Sequence, residues 1–259
     1  MNAIKFLFFF ISIFVFSQEN IELKHVSTEK IEADQMIGID NFGVQYYIAN
    51  SIFYKKDGDK LINYSNVQLG EISTAKIFNP LKISLFYRNF NTVVVLDNRL
   101  AEITKIDFNT LDPLRQVTHI SFFNDNTIWI YNQDTQQLEV FDYIALKSKE
   151  ESLPITGSVI DLASNYNNCW LLTDAQLYTF SYFGSVISKQ HNTGFTQLEE
   201  NNDNLFLLKK NTLYFKSKKG QEIKQLNLPE LLIKQFFVTN ESLYIYDGEN
   251  LYQYQLINQ

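Results

Sequence analysis

Five polar side chains hold the same place in a recurring pattern: Lys76, His119, Asp161, Gln197 and Gln235 each directly precede an apolar residue that returns about every 40 residues. Met36 takes that place in the first unit, and Gln35, Thr118 and Thr196 add polarity beside it. A lysine, a histidine and an aspartate converging on one spot could bind a small ligand or order water, provided their pKa values are tuned by the convergence. The same polarity also suits strands that face a wet channel. Other chemistry finds no support. His25, His119 and His191 lie in different units, without metal-ligand spacing. Asp57-Gly58-Asp59 reads as a hairpin turn, being too short a loop for calcium. No Gly-x-Ser-x-Gly elbow occurs, and Gly184-Ser185 sits in a turn. The neighbouring carboxylates Glu150-Glu151 and Glu199-Glu200 fall in polar stretches and read as solvated charges rather than an acid/base pair. We therefore expect no catalytic residue, no metal site and no cofactor.

The elements that must position the five residues are short strands. Units three to six begin at Val117, Val159, Phe195 and Ile233; the first two, from Met36 and Ser73, fit more loosely. Each unit has an apolar anchor, a turn rich in Asn and Asp, an aromatic-centred strand, a second turn and a third strand that often opens with Leu-Tyr. The anchors are Ile37, Ile77, Ile120, Leu162, Leu198 and Phe236. A second column follows eight or nine residues on, at Tyr46, Leu85, Trp129, Trp170, Phe206 and Tyr244; a third is Ile52, Val93, Leu138, Leu177, Leu213 and Leu251. Second strands such as Ile128-Trp129-Ile130-Tyr131 are apolar on both faces, which a strand with one wet face would not be. Fourth strands, such as Ala101–Phe108 and Gln221–Leu226, are more polar and suit an outer edge. Turns every 7–10 residues and abundant β-branched and aromatic residues exclude helical repeats.

This pattern resembles six-bladed β-propellers as a class, across essentially the whole chain after its leader. The resemblance implies an all-β fold with four antiparallel strands per blade and a site at the mouth of the central channel, where the residues before the anchors would form a ring. The Trp-Asp, Tyr-Trp-Thr-Asp and sialidase-box signatures of particular propeller families are absent. The sixth unit ends after three strands. The segment Ile21–Val26 precedes the first anchor like an orphan fourth strand, and is expected to complete the last blade and cover its edge. The units then span approximately 32–71, 72–112, 113–155, 156–192, 193–230, and 231–259 with 20–28.

Residues 1–17 have the layout of a secretory signal peptide: Lys5, an apolar run from Phe6 to Phe16, and small Ser17 at the cut. Residues 18–259 then form one domain without a transmembrane segment, and loss of Lys5 moves the formal charge from −7 to −8. So acidic a chain, with no basic cluster beyond Lys216, Lys218 and Lys219, is a poor partner for nucleic acid. Cys169 is the only cysteine, so no lipidation site follows the leader and no internal disulfide forms; 22 Phe, 15 Tyr and 2 Trp must supply the packing instead. The Asn-, Lys-, Ile- and Phe-rich style, with a leader ending Phe-Ser-Gln, resembles exported proteins of the Bacteroidetes. The expectation is a non-enzymatic, periplasmic or secreted interaction module with a protein partner, in its specific form a periplasmic subunit of an outer-membrane secretion or transport assembly. Alternatives are a small-ligand-binding or hydrolytic propeller using Lys76, His119, Asp161, Gln197 and Gln235 at the channel mouth, and a carbohydrate-binding propeller using exposed tyrosines.

Overall fold

The structure, a computed structural model, describes residues 21–258 except 80, 125, 221 and 240. The expected leader, residues 1–17, lies outside the described residues. The described chain is a ring of six four-stranded antiparallel sheets. Strand β1 (Ile21–Lys30) stands apart in sequence from its sheet. Blade one holds β2 (Gln35–Ile39), β3 (Gln45–Ala49), β4 (Ile52–Asp57) and β5 (Lys60–Tyr64), and blade two β6 (Thr74–Asn79), β7 (Lys82–Tyr87), β8 (Thr92–Leu96) and β9 (Glu102–Asp107). Blade three holds β10 (Val117–Asn124), β11 (Thr127–Asn132), β12 (Gln137–Asp142) and β13 (Lys147–Glu151), and blade four β14 (Val159–Ser164), β15 (Asn168–Thr173), β16 (Gln176–Ser181) and β17 (Val186–His191). Blade five holds β18 (Gln197–Asn201), β19 (Asn204–Lys209), β20 (Thr212–Lys216) and β21 (Ile223–Gln225). Blade six has only β22 (Gln235–Val238), β23 (Ser242–Tyr246) and β24 (Asn250–Asn258) of its own, and β1 pairs antiparallel with β24 to complete it.

The turns follow from their residues. Asn50-Ser51 and Asn202-Asp203, two-residue hairpin links, all have positive φ, which Asn and Asp tolerate better than most. Asp40, Asp97, Asp142, Asn165 and Asp247 each accept backbone N–H groups two to four residues ahead, so one acidic or amide side chain shapes the same kind of turn in five blades.

The core is six apolar layers, one between each pair of adjacent blades. A middle strand therefore feeds two layers. On β11, Ile128 and Ile130 enter the layer shared with blade two, while Trp129 and Tyr131 enter the layer shared with blade four. On β19, Leu205 and Leu207 face blade four, and Phe206 and Leu208 face blade six. This is why the second strands are apolar on both faces. The second column is buried throughout, and so are Tyr87, Tyr143, Tyr178, Phe180 and Tyr254. Cys169 lies in the layer between blades three and four, where burial pushes its thiol pKa well up and keeps it protonated.

The anchor column is not uniform. Ile120, Leu162, Leu198 and Phe236 are buried, but Ile37 and Ile77 are only partly so, and Met36 and Ala75 take the buried places in blades one and two. In blade one a register shift between Met36 and Gly38 accounts for the slip, since one extra residue in a strand moves each side chain to the other face; in blade two Ala75, two residues before Ile77, is the residue opposite the second-column Leu85.

Candidate functional site

The inner strands β2, β6, β10, β14, β18 and β22 stand around the axis, each touching the next and β22 touching β2. They enclose a channel of about 830 Å³. Its mouth lies among the turns that follow the inner strands, lined by Asp40 to Phe42, Asn165 and Tyr166, and Asn201 and Asn202.

Lys76, Asp161, Gln197 and Gln235 line this channel, and His119 stands outside its wall. An inner strand pairs with its own blade along one edge only, so its other edge presents backbone groups that need partners. Side chains of the preceding blade supply them. Asp161 accepts the Leu198 N–H through Oδ2 at 2.8 Å and its neighbour's N–H, Leu162, through Oδ1 at 2.8 Å. Gln235 Oε1 accepts the Met36 N–H at 2.8 Å, which ties the last blade to the first, and Gln197 Nε2 donates to Lys234 O at 3.4 Å. His119 bonds the Ile160 backbone, holds Thr118 Oγ1 at 3.0 Å from Nδ1, and sets its ring edge against Tyr131. Burial pushes its pKa down to about 4, with the Arg88 and Lys76 charges adding, so the ring is uncharged at neutral pH. The polar place before the anchors is thus first a belt of blade-to-blade hydrogen bonds.

Lys76 does not share the level of Asp161. It pairs with Ser84, one step beyond Ala75, whereas Asp161 lies two residues before Ala163, the blade-four counterpart of Ala75 opposite the second column. At that depth the Lys76 charge acts on Glu199, expected from the sequence to be a solvated charge beside Glu200. Neither glutamate is a surface charge. Glu200 accepts from Asn165 Nδ2 at 2.7 Å and from the Asp203 N–H at 3.3 Å. Glu199 lies across β18 from the buried Phe206 and lines the channel. Burial pushes its pKa up to about 7; Lys76 opposes the shift, and Asp161 and Glu200 add to it. Burial also raises Asp161, more than Lys76 and its two N–H donors lower it. Burial depresses Lys76, but Glu199 and Asp161 together outweigh it and leave the ammonium above its ordinary value. Among the described residues, the side chains of Lys76 and Glu199 form no hydrogen bond and no direct ion pair.

A pH dependence follows. Native Glu199 holds its proton up to about 7, the unfolded residue only to about 4.5, so between these values folding takes up a proton. The stabilisation is complete below about 4.5 and is lost as pH rises through about 7. Glu199→Gln, which cannot ionise, should match the wild type in Tm at pH 4.5 and exceed it at pH 8, by on the order of 2 kcal/mol. A constant difference across that range, followed by thermal unfolding, would show that Glu199 is already ionised in the fold.

The closed ring of six blades makes the chain a six-bladed β-propeller. No family model matches the sequence, and no curated protein does. Among solved structures it is similar to virginiamycin B lyase from Staphylococcus aureus, with TM-score 0.62 and 8% identity over 92% of this chain and 100% of that one. It is also similar to the Pan2 WD40 domain of Neurospora crassa, with TM-score 0.61 and 9% identity over 86% and 74% of the two chains. A third is PorZ, a bacterial surface component of the type-IX secretion system of Porphyromonas gingivalis, with TM-score 0.56 and 14% identity over 84% of this chain and 31% of that one. At these identities the likeness is one of fold, and that fold serves a lyase and a secretion-system component alike. Among the described residues no three His, Cys, Asp or Glu side chains are grouped to hold a metal ion, and no helix is long and apolar enough to cross a membrane.

Proposed function

We propose that this propeller is an exported protein-interaction module without catalytic activity, in its specific form a periplasmic subunit docked on an outer-membrane secretion or transport assembly. The observation that carries the reading is an apolar margin on blades three and four. The turn between β16 and β17 leans on the end of β13, so close that a Cβ on Gly184 would meet the Glu151 carbonyl carbon at 3.4 Å and the Ser152 nitrogen at 3.5 Å. Leu153, 83% exposed, follows this contact directly, and Tyr182, Phe183, Val186 and Ile187, all exposed, flank the same turn, with the Tyr182 and Phe183 rings 3.9 Å apart. Large apolar side chains gathered in water mark an interaction site more often than they serve the fold. The leader supports export, the acidic charge disfavours nucleic acid, and the likeness to PorZ supports a place in secretion machinery.

Affinity purification of the tagged protein from its native envelope tests this reading. A stoichiometric membrane-protein partner is expected, and Phe183→Ser with Ile187→Lys should abolish its recovery while leaving stability within about 0.5 kcal/mol per site, as for surface changes. A protein recovered alone, or a partner retained by the double variant, would count against it.

A further inference from the structure

The channel carries an unbalanced charge. Four carboxylates, Asp40, Asp161, Glu199 and Glu200, line it against one ammonium, Lys76. Three of the four are occupied. Asp40 accepts the Phe42 and Val44 N–H groups and the Tyr46 hydroxyl, Asp161 accepts two N–H groups, and Glu200 is held by Asn165 and the Asp203 N–H. Glu199, half-buried and open to the channel, accepts no hydrogen bond from protein among the described residues. Its carboxylate is free to take a donor from the channel, and Asp161 keeps lone pairs to share beside it. Lys76 acts on both through its charge but, among the described residues, forms no direct ion pair with either, and one ammonium against four carboxylates leaves room for a further positive charge. The mouth supplies a second feature. Phe42 is 83% exposed and Tyr166 61% exposed, both at the channel rim, and aromatic faces favour a passing cation and its alkyl stem. Glu199 lies two residues below the turn at Asn201, about 7 Å along the strand at ~3.3 Å per residue, a depth an extended lysine or arginine side chain can span.

We propose that the channel is a binding site for one organic cation, a primary ammonium or guanidinium group held by Glu199 and Asp161, with its alkyl stem passing Phe42 and Tyr166. The site does not depend on the docking role, since a free amine and a side chain on a polypeptide present the same group. Binding should favour ionised Glu199 and release its proton. The charged groups that face it are Lys76 on β6, Asp161 on β14, Glu200 on β18 and Asp40 beyond β2; His119, outside the wall, stays neutral.

Titration calorimetry on the whole propeller tests the site with four probes: n-butylammonium, n-butylguanidinium, neutral N-butylurea, and a capped Gly-Ser-Arg-Ser-Gly peptide. The cations should bind and the urea should not, with proton release near pH 7 and weaker binding at pH 6. Glu199→Gln should weaken binding by about tenfold or more, the order of one charge-assisted hydrogen bond. Lys76→Met should tighten it by removing the competing charge, the reverse of what an anionic or zwitterionic ligand requires. Binding of the peptide alone would support the site and assign the cation to a polypeptide; binding of the free amines would support it and assign a small molecule. Failure of all three cations, equal binding of the urea, or unchanged affinity in Glu199→Gln would overturn the proposal, and the last comparison decides even if Lys76→Met does not fold.

Discussion

Deleting residues 21–30 is expected to lower the Tm by roughly 10 °C or more, equivalent to about 3–5 kcal/mol for a domain of this size. Strand β1 buries little of its own surface: only Ile21 and Leu23 are half-buried, against the layer between blades five and six. Its effect lies in what it covers. It pairs with β24 from Ile21 opposite Asn258 to Lys30 opposite Asn250, with one bulge near Val26. Without it, β24 becomes a nine-residue open edge carrying Tyr252, Tyr254 and Leu256, a template for pairing with another chain. The same segment leads into the seam between the last and first blades. Ile31 N–H donates to Glu249 O at 2.9 Å, and the buried Tyr246 hydroxyl donates to Ala33 O at 2.8 Å. The truncated protein should therefore both melt early and self-associate. A synthetic peptide of residues 21–30 should restore part of the Tm by mass action, because it can add as a strand to the vacant edge. A truncated protein that melts with the full-length one would show that the seam residues alone close the ring.

That closure was legible because it followed from local arithmetic: the sixth unit lacked one strand and the N-terminus had one to spare. The period was legible for a similar reason. The Asn and Asp turns are set by side chains bonding their own backbone a few residues ahead, so they repeat in sequence as they repeat in space. The register of blades one and two was not: the bulge at Met36/Gly38 breaks the alternation in blade one, and in blade two Leu85 pairs with Ala75, before Ile77 rather than after it, so Lys76 lies one step beyond the second-column level while Asp161 lies two before it. Glu199 was hidden by its surroundings: within Gln197-Leu198-Glu199-Glu200 a channel-lining carboxylate resembles a solvated one. One signal existed. Glu199 pairs with Phe206 of the buried second column, where Trp170 faces Ala163, Trp129 faces Ser121 and Tyr46 faces Gly38. Phe237 faces Tyr244 in blade six, so the anomaly is a charge among uncharged partners, and only the strand register exposes it.

Arg115→Ala and Glu139→Ala should each cost about 3–5 kcal/mol, as breaking a buried ion pair does. The pair lies inside blade three, with Arg115 4% and Glu139 3% exposed, and Arg115 Nε is 2.8 Å from Glu139 Oε2. Neither charge depends on the other alone. The guanidinium also donates to Pro113 O at 2.8 Å and Ser148 Oγ at 3.3 Å and lies over the Phe141 ring, while Glu139 accepts from Asn132 Nδ2 at 2.8 Å and from the Ser148 hydroxyl. Blade two joins through Asn91, whose Nδ2 donates to Arg115 O at 2.6 Å and whose Oδ1 accepts the Val117 N–H at 3.1 Å. Removing one partner leaves a charge without its counter-charge in a place water does not reach, which is the source of the cost. Removing both while keeping the volume, as in Arg115→Met with Glu139→Leu, should recover most of the loss, since the desolvation penalty of the two charges disappears with their attraction. The denaturant midpoints of Arg115→Met, Glu139→Leu and their double variant form a cycle whose coupling should exceed about 2 kcal/mol. Additive losses, or a single variant costing under about 1 kcal/mol, would show that the two charges do not stabilise each other inside blade three.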